Sequence, residues 1–382
     1  MDTAHQLGTL ARRTADLLAR RHVGVVVAAV AGGHVEIAGA GTTGTTGTTG
    51  TTVTTKGPGT TGGPASIGGS DGSDGSDGAT PHAGTLFEIG SLTKTFTGLA
   101  LARMAVAGTV RLDDPLASLL PDGTAVPSRH GQEITLRHLA THTSGLPRLP
   151  KGLLLRALLR PGTPDPYAGC TADVLLDGLA RTRLRATPGR RVHYSNLGAG
   201  LLGLGLARRA GTTYEQLVTE LVCAPLGMTD TAVSVAGTRP GRLAQGHDGR
   251  RRPTPPWHLA DLAGAGGLWS TATDLVTYVR AQLAGGELGG PAELAEAIRL
   301  SREVEHRTNR FVWKHLGWAA HRLHPAQGGH LQIWHNGGTG GFSSFAGFDP
   351  ETGTAVVVLS NTRRSVDAPA FELLRTLQKE SA

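Results

Sequence analysis

Three short stretches of this 382-residue chain carry side chains whose types and spacing could do chemistry. The first is GSLTK, with Ser91 and Lys94. A helix starting near Ser91 puts the serine at its N-terminal end and the lysine one turn later on the same face. The dipole and N–H groups at that end favour developing negative charge. A lysine amine beside a serine hydroxyl can take its proton if burial and neighbours lower the lysine pKa. The bland alternative is an N-capping serine and a solvated lysine. The second stretch is HYSN, with Tyr194, Ser195 and Asn196. A phenol near cations can act as a general base or proton shuttle, and an amide two residues on can hold a substrate carbonyl or the lysine. The alternative is a loop Tyr and a turn Asn. The third is HNGGTGGF, His335 to Phe342, on or just after a strand. Its glycines would let a substrate backbone approach closely. The N–H near Gly338 could pair with that of Ser91 to hold an oxyanion. The alternative is a Gly-rich turn with a satisfied histidine.

Together and in this order, the three stretches resemble the active site of the serine β-lactamases and penicillin-binding proteins. The class A forms of those motifs are Ser-x-x-Lys, Ser-Asp-Asn and Lys-Thr-Gly. Tyr-Ser-Asn is similar to class C β-lactamases and D-alanyl-D-alanine carboxypeptidases. His335, where those β-lactamases carry Lys, is similar to DD-peptidases, D-aminopeptidases and esterases of the superfamily. RHLATHTSGLP (137–147), PLGMTDT (225–231) and AGGLWSTATDL (265–275) resemble further family segments. The resemblance implies that Ser91 is the acylated nucleophile and Lys94 its activator. Tyr194 would relay protons to the leaving group and help activate water. Asn196 would position substrate or Lys94, and His335 would take the electrostatic role of the family's lysine. The N–H groups of Ser91 and Gly338 would form the oxyanion hole. No Glu-x-x-Leu-Asn follows Tyr194, so the class A deacylation glutamate has no counterpart.

The elements that must position these residues read as follows. A helical pattern opens the chain. VGVVVAAVAGGHVEIAGA (23–40) then predicts a hairpin around a Gly-Gly turn. Arg20 and Arg21 before that apolar run look faintly like a secretory signal. The hairpin reading is preferred, and with it a cytoplasmic location. Residues 41–80, rich in Gly, Thr, Ser and Asp, predict a flexible insertion. TLFEIG (85–90) predicts a short strand and 91–107 a helix stopped by Gly108. Approximately 110–300 reads as a mostly helical subdomain broken by Gly and Pro. Leu331–Asn336, Phe342–Asp349 and Thr354–Asn361 predict consecutive antiparallel strands, and 367–380 a closing helix. The expected fold is α/β (α+β): one antiparallel sheet built from both termini, flanked by helices, in a single catalytic domain over 1–382.

Composition removes other classes. With 39% hydrophobic residues the chain can bury a sizeable core. No run of eighteen apolar residues predicts a membrane span. The 37 basic against 30 acidic residues give a net charge of +7. They are scattered, without a basic stripe interleaved with aromatics, so no nucleic-acid partner is expected. His138 and His142 are four apart but lack a third ligand, so no metal and no cofactor is expected. Cys170 and Cys223 read as structural thiols. The absence of a GxSxG elbow and of a GxxxxGK[ST] loop weakens other hydrolase and NTPase readings. The expectation is a serine hydrolase acting on a small ester, amide or short D-amino-acid peptide. The alternatives are a class C-type β-lactamase or D-alanyl-D-alanine carboxypeptidase, an acyltransferase, or a non-turnover receptor for peptidoglycan or β-lactams. Histidine loses its charge in the physiological range, so His335 favours acceptance of neutral esters.

Overall fold

A computed structural model of the chain describes residues 3–44, 78–150, 165–167, 169–238, 240–285 and 291–381. The chain begins with α1 (Thr3–Ala19), followed by the hairpin β1 (Gly24–Ala31) and β2 (His34–Gly41). Gly32 and Gly33 turn it with φ of 55° and 80°, a two-residue turn that suits glycine. The apolar run after Arg20 and Arg21 is thus a sheet strand. The short β3 (Phe87–Glu88) leads through a 3₁₀ turn, Gly90–Leu92, into α2 (Thr93–Val106). Ser91 therefore lies in the tight turn just before the helix rather than inside it. The middle holds α3 (Leu136–Ala140), α4 (Ala172–Ala180), α5 (Asn196–Ala210) and α6 (Tyr214–Val218). Two-residue strands β4 (Gly246–His247), β5 (Pro253–Thr254) and β6 (Trp269–Ser270) interrupt it, before α7 (Ala272–Leu283) and α8 (Ala292–Glu303). The end is β7 (His306–Arg307), β8 (Val312–Lys314), β9 (Ala319–Arg322), β10 (Leu331–Gly338), β11 (Ser343–Asp349), β12 (Thr354–Ser360) and α9 (Asp367–Glu380).

Eight strands form one sheet in the order β2-β1-β12-β11-β10-β9-β8-β7. The N-terminal β1 pairs antiparallel with the C-terminal β12, Val25 opposite Ser360 and Val30 opposite Ala355. So the sheet is built from both termini, as expected. Every residue of β1 and β12 is buried, because helices cover both faces. The two-residue side-chain period divides each strand between two cores. Val26, Ala28, Val30, Val357 and Leu359 face the larger core, which takes in α2, α5 and α7. Val25, Val27, Ala29, Val356 and Val358 face a smaller one with Leu7, Leu18, Leu373 and Leu377 of α1 and α9. His22 closes that end of the sheet, its Nδ1 2.8 Å from Ser360 Oγ. Among the described residues no helix is long and apolar enough to cross a membrane.

Most of the expected insertion, residues 45–77, lies outside the described residues. Its edges are held more tightly than the sequence suggests. Thr43 N–H donates to Ala79 O at 2.8 Å, and Thr42 Oγ1 donates to Gly78 O at 2.8 Å. The two ends therefore sit side by side, and closure entropy changes slowly with loop length. Replacing 45–77 with a Gly-Ser link of about four residues should leave the melting temperature within about 3 °C. A fall of more than about 10 °C in a calorimetric scan would show that these residues pack on the domain.

Candidate active site

The Ser91 turn is pressed against the end of β10. Ser344 Oγ donates to Ile89 O at 2.7 Å. A Cβ on Gly337 would overlap the Ile89 carbonyl oxygen, and one on Gly90 would come within 2.6 Å of Gly338 N. Gly90 also has φ +50°, which side chains disfavour. Glycine at these positions is what lets the Ser91 turn lie beside the Gly338 amide. The pairing proposed from the sequence for an oxyanion is thus spatially adjacent.

One helical turn on, Lys94 reaches back to Ser91. Its Nζ donates to Ser91 Oγ at 3.0 Å and to Ala265 O at 2.5 Å. The lysine is 3% exposed. Burial lowers its pKa, with Tyr194 partly opposing the shift. A buried amine whose charged form is disfavoured can accept a proton from a neighbouring hydroxyl. The acceptor carbonyl comes from the 3₁₀ segment Ala260–Ala265, which packs against α5.

Tyr194 arrives from the opposite side. Its hydroxyl donates to Ser91 Oγ at 2.8 Å, and the Lys94 ammonium sits 4.9 Å from its ring centre. Ser195 caps α5, its Oγ accepting from Gly198 N at 2.9 Å and donating to Pro147 O at 2.7 Å. The HTSGLP segment zips along this stretch. His193 N–H donates to His142 O, Ser195 N–H to His142 Nδ1 and Asn196 N–H to Arg148 O. His142, at φ +59°, lays its ring 4.5 Å from that of Tyr194. Its use is to seat Tyr194, whereas His138 caps α3 through Thr135.

Two sequence expectations change. Asn196 lines the same cavity as Ser91, but the partners of Lys94 are Ser91 and Ala265, so Asn196 does not hold the lysine. Among the described residues its Oδ1 is buried without a partner, which leaves it available to a substrate amide. His335 was expected to take the electrostatic role of the family's lysine. It is 7% exposed, its Nδ1 lies 2.6 Å from Asn336 O, and its ring is 6.5 Å from that of Tyr194. Burial, then Lys94 and Lys314, push its pKa down to about 3. Desolvation penalises the charged imidazole, and two nearby ammonium groups penalise it again. Burial thus disfavours a charge on His335, whose ring packs near that of Tyr194.

The cavity has a volume of about 610 Å³. Among the described residues its cations are Arg148, Arg363 and Arg364, which no motif in the sequence pointed to. None of the three makes an ion pair among the described residues. Tyr167 and Trp257, with ring centres 5.0 Å apart, form an aromatic lip. Glu88 holds that lip by accepting from Trp257 N–H at 2.8 Å, and burial raises its pKa to about 7. Cys170 and Cys223 are buried and unbridged, and burial pushes the Cys223 thiol up to about 12.

The arrangement matches a known group of proteins. The beta-lactamase family model covers residues 10–378. The chain belongs to the beta-lactamase family. It is a serine hydrolase. The chain is 31% identical over 290 residues to the D-alanyl-D-alanine-carboxypeptidase/endopeptidase AmpH of Escherichia coli K12, covering 73% of this chain and 71% of that one. It is 28% identical to a beta-lactamase of Pseudomonas fluorescens, covering 72% and 79%. In fold it is similar to a beta-lactamase/D-alanine carboxypeptidase from Yersinia pestis, with a TM-score of 0.74, 24% identity and coverage of 100% and 99%.

The pKa of His335 sets a pH expectation with a definite sign. In the unfolded chain it titrates near the ordinary value of about 6.5. In the fold it stays neutral to about 3. Its contribution to stability is full above about 6.5 and is lost as pH falls toward 3, because the unfolded state then binds more protons. His335→Gln should flatten the fall in melting temperature between pH 6.5 and 4. It should also leave the pH profile of kcat/KM between 5 and 8 unchanged in shape. A missing limb near pH 6.5 in the variant would show that the imidazole is charged in the working enzyme.

Proposed function

We propose that the protein hydrolyses an ester or amide through an acyl-serine at Ser91, and that short D-amino-acid peptides with an anionic end suit it better than neutral esters. The observation that carries the first part is the convergence of Lys94 Nζ and the Tyr194 hydroxyl on one serine oxygen, at 3.0 and 2.8 Å. In acylation Ser91 Oγ attacks the carbonyl carbon, and its proton passes to the Lys94 amine. The oxyanion is held by the N–H groups of Ser91 and Gly338. Tyr194 relays a proton to the leaving amine or alcohol as the C–N or C–O bond breaks. The same pair takes a proton from water in deacylation, releasing the acid and restoring Ser91. Asn196 orients the substrate through its unpartnered carbonyl oxygen.

The second part rests on the unpaired arginines. A neutral His335 supplies no charge, which by itself would suit neutral esters. Three guanidiniums lining the cavity outweigh that argument, since each is a fixed cation with a forked donor set for a carboxylate. The name of the AmpH relative, D-alanyl-D-alanine-carboxypeptidase/endopeptidase, points the same way. The proposal keeps a single catalytic domain and a cytoplasmic location.

A fluorophosphonate or penicillin probe should add one mass equivalent to the peptide containing Ser91, and Ser91→Ala should abolish labelling with an unchanged melting temperature. Labelling at Ser144 or Ser195 would overturn the assignment. Tyr194→Phe should lower kcat by about 10²- to 10⁴-fold. Since burial lowers the Lys94 pKa, the free amine forms below the ordinary lysine range of about 10.4. The kcat/KM should therefore rise with pH through a limb below that value. A limb at or above it would show that the lysine stays charged.

A further inference from the structure

The cavity beside Ser91 also holds an acid that the hydrolytic reading does not use. Asp367, the first residue of α9, lines it together with Arg363 and Arg364. The Asp367 carboxylate accepts from Asn336 Nδ2 at 2.7 Å, and it has no ion pair among the described residues. Burial raises its pKa, with Asn336 and Ser365 opposing. In the same cavity, the Arg363 side chain makes no hydrogen bond among the described residues. Among the described residues Arg364 Nε is buried without a partner, and its Nη2 reaches Gly249 O at 3.5 Å. Left to themselves an acid and two guanidiniums in one cavity would collapse into ion pairs. Here the first is held by Asn336 of β10 and Arg364 by Gly249, and neither charge is answered among the described residues.

We propose that the cavity contains a subsite for a zwitterionic short peptide, with Asp367 taking the ammonium and Arg363 and Arg364 the carboxylate. This rests on the hydrolytic reading above and narrows its substrate class. A ligand with a carboxylate alone would engage the arginines but face the unneutralised Asp367. A neutral ester would engage neither pole. A free dipeptide answers both, and an ammonium would restore to Asp367 the counter-charge that burial denies it. Specificity then comes from repulsion of the blocked peptide as much as from attraction of the free one.

D-Alanyl-D-alanine and its N-acetyl derivative share a scissile bond and differ in the ammonium. The wild type should cleave the free dipeptide with a kcat/KM at least tenfold higher. Asp367→Asn keeps an acceptor for Asn336 and removes only the charge, so it should erase that preference mainly through KM. Asp367→Glu should restore part of it. Arg363→Gln with Arg364→Gln should lower kcat/KM for both peptides relative to p-nitrophenyl acetate, which reads the other pole even if the Asp367 variants fail to fold. Equal cleavage of the two peptides by the wild type, or a preference unchanged in Asp367→Asn, would overturn the subsite while the hydrolytic reading stands. The Ser91→Ala protein separates the two claims by calorimetry. Tighter binding of the free dipeptide that is lost with Asp367→Asn would support the subsite even if no peptide is cleaved.

Discussion

The constraint on which the rest depends is the contact between the Gly90–Leu92 turn and the end of β10. The turn can only reach the strand because Gly90 and Gly337 have no side chains to separate them. That contact sets Ser91 beside the Gly338 amide and fixes where α2 starts, and hence where Lys94 points. At that end β10 pairs with β11, Gly337 opposite Ser344 and Gly338 opposite Ser343, so the turn is braced by a paired strand rather than by a loop. A site built on a paired strand and a helix start loses little geometry to thermal motion, which suits a reaction sensitive to sub-ångström placement.

The second constraint is the cost of keeping Lys94 inside. Desolvating an ammonium costs several kcal/mol even after relaxation. The fold offsets part of it with the Ala265 carbonyl, the Ser91 hydroxyl and the face of the Tyr194 ring. What remains is a lowered pKa. The amine is thus destabilised as a cation by the same packing that orients it, which is the property a proton acceptor needs. His142 and His335 pack nearby as neutral rings, so the site gathers many nitrogens with little charge. Charge is instead concentrated at the cavity wall, on arginines fixed in their protonated form.

Ser91, Lys94 and Tyr194 were legible in the sequence because each motif is local: three residues of helix or a cap fix the spacing, and the residue types are rare enough to stand out. The sheet built from both termini was legible from hydrophobic runs bounded by Gly turns. The boundaries of the 41–80 insertion were less so, since Thr42 and Thr43 are held by backbone partners at Gly78 and Ala79 that composition does not reveal.

Residue types and short spacings therefore determined which groups could react, and hydrophobic periodicity determined the elements that carry them. Only the tertiary structure decided their charge and their company. Nothing in HNGG says that His335 is buried near Lys94 and Lys314, where a charge on it is disfavoured. That follows from desolvation, which depends on packing by residues far away in the chain. Nothing near Arg363 or Asp367 says that they share a cavity with Ser91, because β12 and α9 deliver them there across the sheet. Long-range burial and electrostatics are sums over neighbours that a local motif does not contain.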